Sequence, residues 1–151
     1  MTEKNMEKYE IYKQLSSDLT KAMKQGFYYE AIFIEYAILE DRLASVLKYA
    51  GVPTTKKKGG NKSIAEKIDD IRKKKEFSSK FVRDCLSFEL LDSITVWKDK
   101  RNRLIHDLAN IPYDAEAVRE VAEEGYEIVK VVKNKSDSVI NRFKKEQLKN
   151  T

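Results

Sequence analysis

Arg101, Asn102 and His106 are the residues of this chain whose types and spacing best suit chemistry. They belong to the run Arg101-Asn102-Arg103-Leu104-Ile105-His106, and His106 is the only histidine among 151 residues. Histidine as a type titrates near neutrality and can take or give a proton. Arginine stabilises negative charge that builds on phosphate oxygens. Together they suit cleavage of a phosphodiester. In RNA the 2′-hydroxyl is an internal nucleophile, so neither a metal nor a covalent enzyme intermediate is required. Other chemistries are poorly served. One histidine and one cysteine, Cys85, do not make a zinc site. No Gly-rich phosphate loop and no Ser nucleophile elbow occurs. Nothing calls for a cofactor.

The periodicity places this run in the last turns of a long helix spanning about Ser79 to Leu108. Projected at about 100° per residue, Leu86, Leu90, Ile94, Trp97, Leu104, Ile105 and Leu108 fall on one side, and Arg101 falls with them. A buried guanidinium is costly unless paired, so Arg101 needs an acidic partner or must line a cleft that receives an anion. Glu40 is the partner candidate, since it projects among Tyr29, Phe33, Tyr36, Ala37 and Leu47 on an apolar flank of an earlier helix. Asn102 and His106 lie four apart and share a second face near Asp99. Against this stands a plainer reading. A histidine near a helix C-terminus often only meets the helix dipole, and Arg101 with Glu40 could be a structural ion pair.

Five helices in all are expected. The first runs from about Glu3 to Gln25, and the second, Phe27 to Ala50, is apolar nearly all the way round and therefore central or shared with a partner. Gly51-Val52-Pro53 ends it in the usual Gly-then-Pro order. Ser63 and Glu66 form a capping box for a short helix with an Ile64, Ile68 and Ile71 stripe. Asp114 N-caps the last helix, which frays into a basic tail over about residues 141–151. The expected architecture is all-α, a single domain over 1–151 forming an up-and-down bundle of four to five helices, with one flexible basic loop at about 54–62.

Residues 51–80 hold ten Lys/Arg against four Asp/Glu, more than the whole chain's net +5. A basic segment attracts phosphate backbones, which makes Lys56, Lys57, Lys58, Lys62 and Arg103 candidates for holding RNA; a merely solvated surface fits the charge equally well. No stretch approaches the roughly 18 apolar residues of a membrane span, and the N-terminal residues lack a signal-type apolar region. With one cysteine and no disulfide framework, the expected location is cytoplasmic.

The Arg101, Asn102, x-x-x, His106 pattern near the end of a long helix resembles the HEPN superfamily, small helical proteins with an Arg-polar-x-x-x-His motif. The layout is similar too, with an almost wholly apolar early helix, a motif-bearing helix and a closing helix. That resemblance implies a homodimer in which two motifs face one cleft and cut RNA without metal. Arg101 would then stabilise the phosphate, His106 would assist proton transfer, and Asn102 would orient the phosphate or the histidine. It also implies a toxin or antiphage-defence role, with an antitoxin or regulatory protein as neighbour. One subgroup carries Tyr two residues after the His; Leu108 stands there in this chain, which departs from that pattern. The alternative is a non-catalytic helical module whose apolar second helix binds a partner chain. A weaker option is nonspecific nucleic-acid binding through the loop and tail.

Overall fold

The computed structural model describes residues 2–150. Among them it contains six α-helices and no strand: α1 (Glu3–Gln25), α2 (Tyr28–Tyr49), α3 (Ile64–Lys73), α4 (Lys80–Cys85), α5 (Phe88–Asp107) and α6 (Ala115–Lys149). A 3₁₀ turn, Lys75–Phe77, joins α3 to α4. The all-α bundle is as expected, with one helix more than the expected five.

α2 is the centre of the molecule. It packs against α1, α3 and most extensively α6. Its composition explains this, because Ala31, Ile34, Ile38, Leu39, Leu43, Val46 and Leu47 lie at or near zero exposure round several sides of the helix. Its end is sharply made. Gly51 takes φ +79°, a left-handed conformation that suits glycine, and the Val52 N–H donates back to the Leu47 carbonyl at 2.9 Å, the six-to-one bond of a Schellman stop. Ser63 and Glu66 exchange the two bonds of a capping box at α3, and Asp114 accepts from the Ala117 N–H at α6.

Two boundaries differ from expectation. The helix expected over 79–108 breaks at Leu86–Ser87. There Ser87 adopts an extended conformation and its hydroxyl accepts from the Leu90 N–H at 3.1 Å, starting a new helix instead of continuing the old one. Apolar periodicity hides such a break, because Leu86, Leu91, Ile94 and Trp97 are all buried on both sides of it. The second difference is the basic tail, which continues α6 to Lys149. Phe143 sits edge-on to Phe77 at 5.9 Å, and the Gln147 side chain donates to the Tyr49 carbonyl, so apolar and polar contacts extend the helix.

The 54–62 segment is a small closed turn. The Lys62 N–H donates to the Thr54 carbonyl and the Lys56 N–H to the Gly60 carbonyl, each at 2.9 Å, around an isolated Thr55–Asn61 bridge. No helix among the described residues is long and apolar enough to cross a membrane.

Candidate functional site

Arg101 is held from two sides. Its guanidinium carbon stands 3.9 Å from the centre of the Tyr36 ring on α2, a close cation–π stack. Its Nη1 donates to the Asn102 Oδ1 at 2.9 Å. Its Nε is buried and has no hydrogen-bond partner. The residue lines a cavity of about 370 Å³ between α2, α3, α5 and the 54–62 turn, together with Phe33, Tyr36, Glu40, Asn61 and Lys67.

Glu40 faces Arg101 across that cavity, but the expected ion pair between them does not form. The guanidinium stacks on Tyr36 instead, with its Nε left unpartnered, and Glu40 makes no salt bridge among the described residues. Lys67 was not anticipated from the sequence. It is 3% exposed, lines the same cavity, and its ammonium has neither ion pair nor hydrogen bond among the described residues. Its stem is buried while its ammonium is not among the fully buried polar atoms, so the charge opens on the cavity, where an entering anion would meet it. The signal for it was in the sequence. Lys67 lies three residues from Ile64 and four from Ile71, on the apolar stripe of α3, where a charge is out of place.

His106 stands elsewhere. Its side chain is 82% exposed, with Nδ1 3.3 Å from the Asp107 Oδ1, and it does not line the Arg101 cavity. Five residues of helix put the two side chains about 140° apart. A single chain therefore brings Arg101, Asn102, Glu40 and Lys67 together and leaves His106 outside. Polar Asn102, Arg103, Asp107 and Asn110 are its neighbours along α5 and the turn after it. Large apolar side chains are also exposed in this part of the chain: Ile105, Leu108, Ile111 and Tyr113 are 47–65% exposed, and Phe33 at the cavity rim is 71% exposed. Ile105 and Leu108 were expected on the core side of the helix, so this is a correction; the last two turns of α5 keep apolar residues at the surface.

The loop candidates divide. The Lys62 ammonium is tied to the Pro53 carbonyl and to Asp70, so it closes the turn and anchors it to α3. Lys56 pairs with Glu66 at 3.3 Å. Lys57, Lys58 and Arg103 are exposed and carry no ion pair among the described residues.

One further titratable group is buried, Glu35 on the side of α2 that faces α6. It has zero exposure and neither carboxyl oxygen has a hydrogen-bond partner. Burial pushes its carboxyl up to about 9, so it is neutral at ordinary pH. A Cβ at Gly125 of α6 would fall 2.2 Å from the Glu35 Oε1 and 2.7 Å from the Trp97 Nε1, so only glycine lets α6 approach here. The Trp97 Nε1 is satisfied separately, by the Val121 carbonyl at 2.9 Å.

Comparison of the chain with protein-family models, with curated proteins and with solved structures returns no match.

Proposed function

We propose that this chain is a HEPN-like, metal-independent endoribonuclease that acts as a homodimer in the cytoplasm, in a toxin or antiphage-defence role. The observation that carries the reading is the Arg101 cavity. There a stacked guanidinium with an unsatisfied Nε and an unpartnered Lys67 ammonium line one space with room for a phosphate. Arg101 and Lys67 reach this space without a carboxylate partner, although Glu40 and Asp41 also line it, and two such cations suit the non-bridging oxygens of a phosphate.

In this reading the RNA 2′-hydroxyl attacks the adjacent phosphorus. His106 takes the hydroxyl proton as the O2′–P bond forms, Arg101 and Lys67 stabilise the non-bridging oxygens, and the P–O5′ bond breaks as the leaving O5′ takes a proton from solvent water. The products are a 2′,3′-cyclic phosphate and a 5′-hydroxyl. Asn102 holds the Arg101 guanidinium through its Oδ1, a positioning role. His106 lies outside its own chain's cavity, so a second copy must bring the groups together. The exposed apolar residues around His106 and at Phe33 supply a surface on which a second copy would pack.

The same apolar surface favours a second reading, a non-catalytic interaction module. Incubation with RNA in excess EDTA separates the two. The nuclease yields cyclic-phosphate ends that are lost in His106→Ala, whereas the module yields none.

A further inference from the structure

The Arg101 cavity does not end at Asp41, Ala44 and Thr54. These three residues also line a neighbouring depression of about 390 Å³, bordered by α1, α2 and α6. That depression shares Asn5, Lys8, Arg42, Asp137 and Lys144 with a third, of about 580 Å³, which opens between α1 and α6. The three make one continuous path over the surface.

The charge of this path is one-sided beyond Arg101. The two outer depressions are lined by seven Lys and Arg side chains against two carboxylates, an excess of five, equal to the net +5 of the entire chain. Both carboxylates are already neutralised. Asp41 accepts from Lys8 and from the Tyr12 hydroxyl, and Asp137 pairs with Arg42. Burial alone would raise the Asp41 carboxyl, but these bonds and the Lys8 and Arg42 charges hold it below the usual carboxylate range. Lys4, Lys13, Lys48, Lys133 and Lys144 have no carboxylate partner among the described residues. Tyr9, 60% exposed, and Tyr12 stand among them. A cationic groove with interleaved aromatic rings is the form that tracks a single-stranded nucleic acid, with ammoniums on the phosphates and rings under the bases.

We infer that single-stranded RNA lies along this groove, running from the Arg101 cavity across α2 to the α1–α6 depression. The inference rests on the nuclease reading for its end point at Arg101 but not for the binding itself. The test uses a fluorescent 2′-O-methyl oligoribonucleotide, which lacks the nucleophile, so binding is read by anisotropy across a salt series whether or not the protein cuts. The groove variant Lys13→Gln/Lys48→Gln/Lys144→Gln removes three exposed ammoniums. The control variant Lys24→Gln/Lys74→Gln/Lys75→Gln removes the same charge from exposed positions at or just past the ends of α1 and α3 that line none of the three depressions.

The groove variant is expected to bind at least about tenfold more weakly near 0.1 M salt, with its log–log salt slope smaller by about 2, as the loss of three single-strand phosphate contacts predicts. The control is expected to stay close to wild type. Equal losses in both variants, or no loss in either, would overturn the groove. So would loss of binding to phosphatidylserine vesicles with RNA affinity unchanged, which would make the surface a membrane site. A groove result as expected from a protein that never cleaves RNA would leave the groove standing and remove the nuclease.

Discussion

Lys67 and Arg101 are the two cations of the cavity that have no carboxylate partner. Lys67 buries its stem and leaves its ammonium without an ion pair or hydrogen bond among the described residues, and Arg101 keeps one buried nitrogen unsatisfied. A ligand-binding role predicts a particular split in the Lys67→Met variant. Its melting temperature should stay close to that of wild type, since an unbranched apolar chain of similar volume keeps the packing of the buried stem and no ion pair or hydrogen bond is lost. Its RNA cleavage should fall about tenfold or more, the usual scale for losing one charged contact to a developing anion. Unchanged cleavage would reduce Lys67 to a packing residue. The motif residues themselves were legible in the sequence because Arg101 and the lone His106 stand out by type. Lys67 was legible by position but hidden in a basic run, where one more lysine carries no emphasis. Helix projection places Glu40 and Arg101 on faces that can meet, but it does not show that a neighbouring ring, here Tyr36, takes the guanidinium instead.

Glu35 sits where α2, α5 and α6 meet, beside Trp97 and Gly125. Its carboxyl titrates near 9 in the folded chain and near 4.3 when unfolded. Between those values the unfolded chain has released the proton and the native one retains it, so the unfolded state binds fewer protons and stability falls as pH rises. The slope from this group is at most about 1.4 kcal/mol per pH unit, and it ends above pH 9 when the native carboxyl also ionises. Glu35→Gln should abolish this contribution. Denaturant titrations from pH 5 to 8 should show the wild type losing stability relative to the variant, whereas parallel curves would contradict a neutral Glu35. The sequence did not single out this residue, since α2 is apolar nearly all round and has no clean face against which a buried acid stands out. The helices themselves were legible wherever a cap had a side-chain signature, as at Ser63 and Asp114. Ser87 carried the same kind of signature but was overridden by the apolar period running through it.

The whole molecule presents its motif in halves. Arg101 faces a cavity, His106 faces solvent, and an apolar surface lies between Phe33 and Tyr113. Sedimentation should give the wild type a mass twice the 17.6 kDa of the chain. Phe33→Glu, which places a charge in that surface, should shift the mass to that of one chain and abolish cleavage together. A monomeric wild type that cleaves RNA would refute the shared site. Basicity was read from the sequence as a property of the 51–80 segment, because charge counts follow the chain. The structure gathers a second excess, nearly as large, on α1, α2 and α6, three elements that include opposite ends of the sequence, which no linear count could assemble. The claim on which the rest depends is that Arg101 and His106 cut RNA without a metal. It is tested most directly by incubating purified wild type and His106→Ala with total RNA in excess EDTA. Fragments ending in 2′,3′-cyclic phosphate from the wild type alone are the predicted result, and equal products, or none, from the two proteins would contradict it.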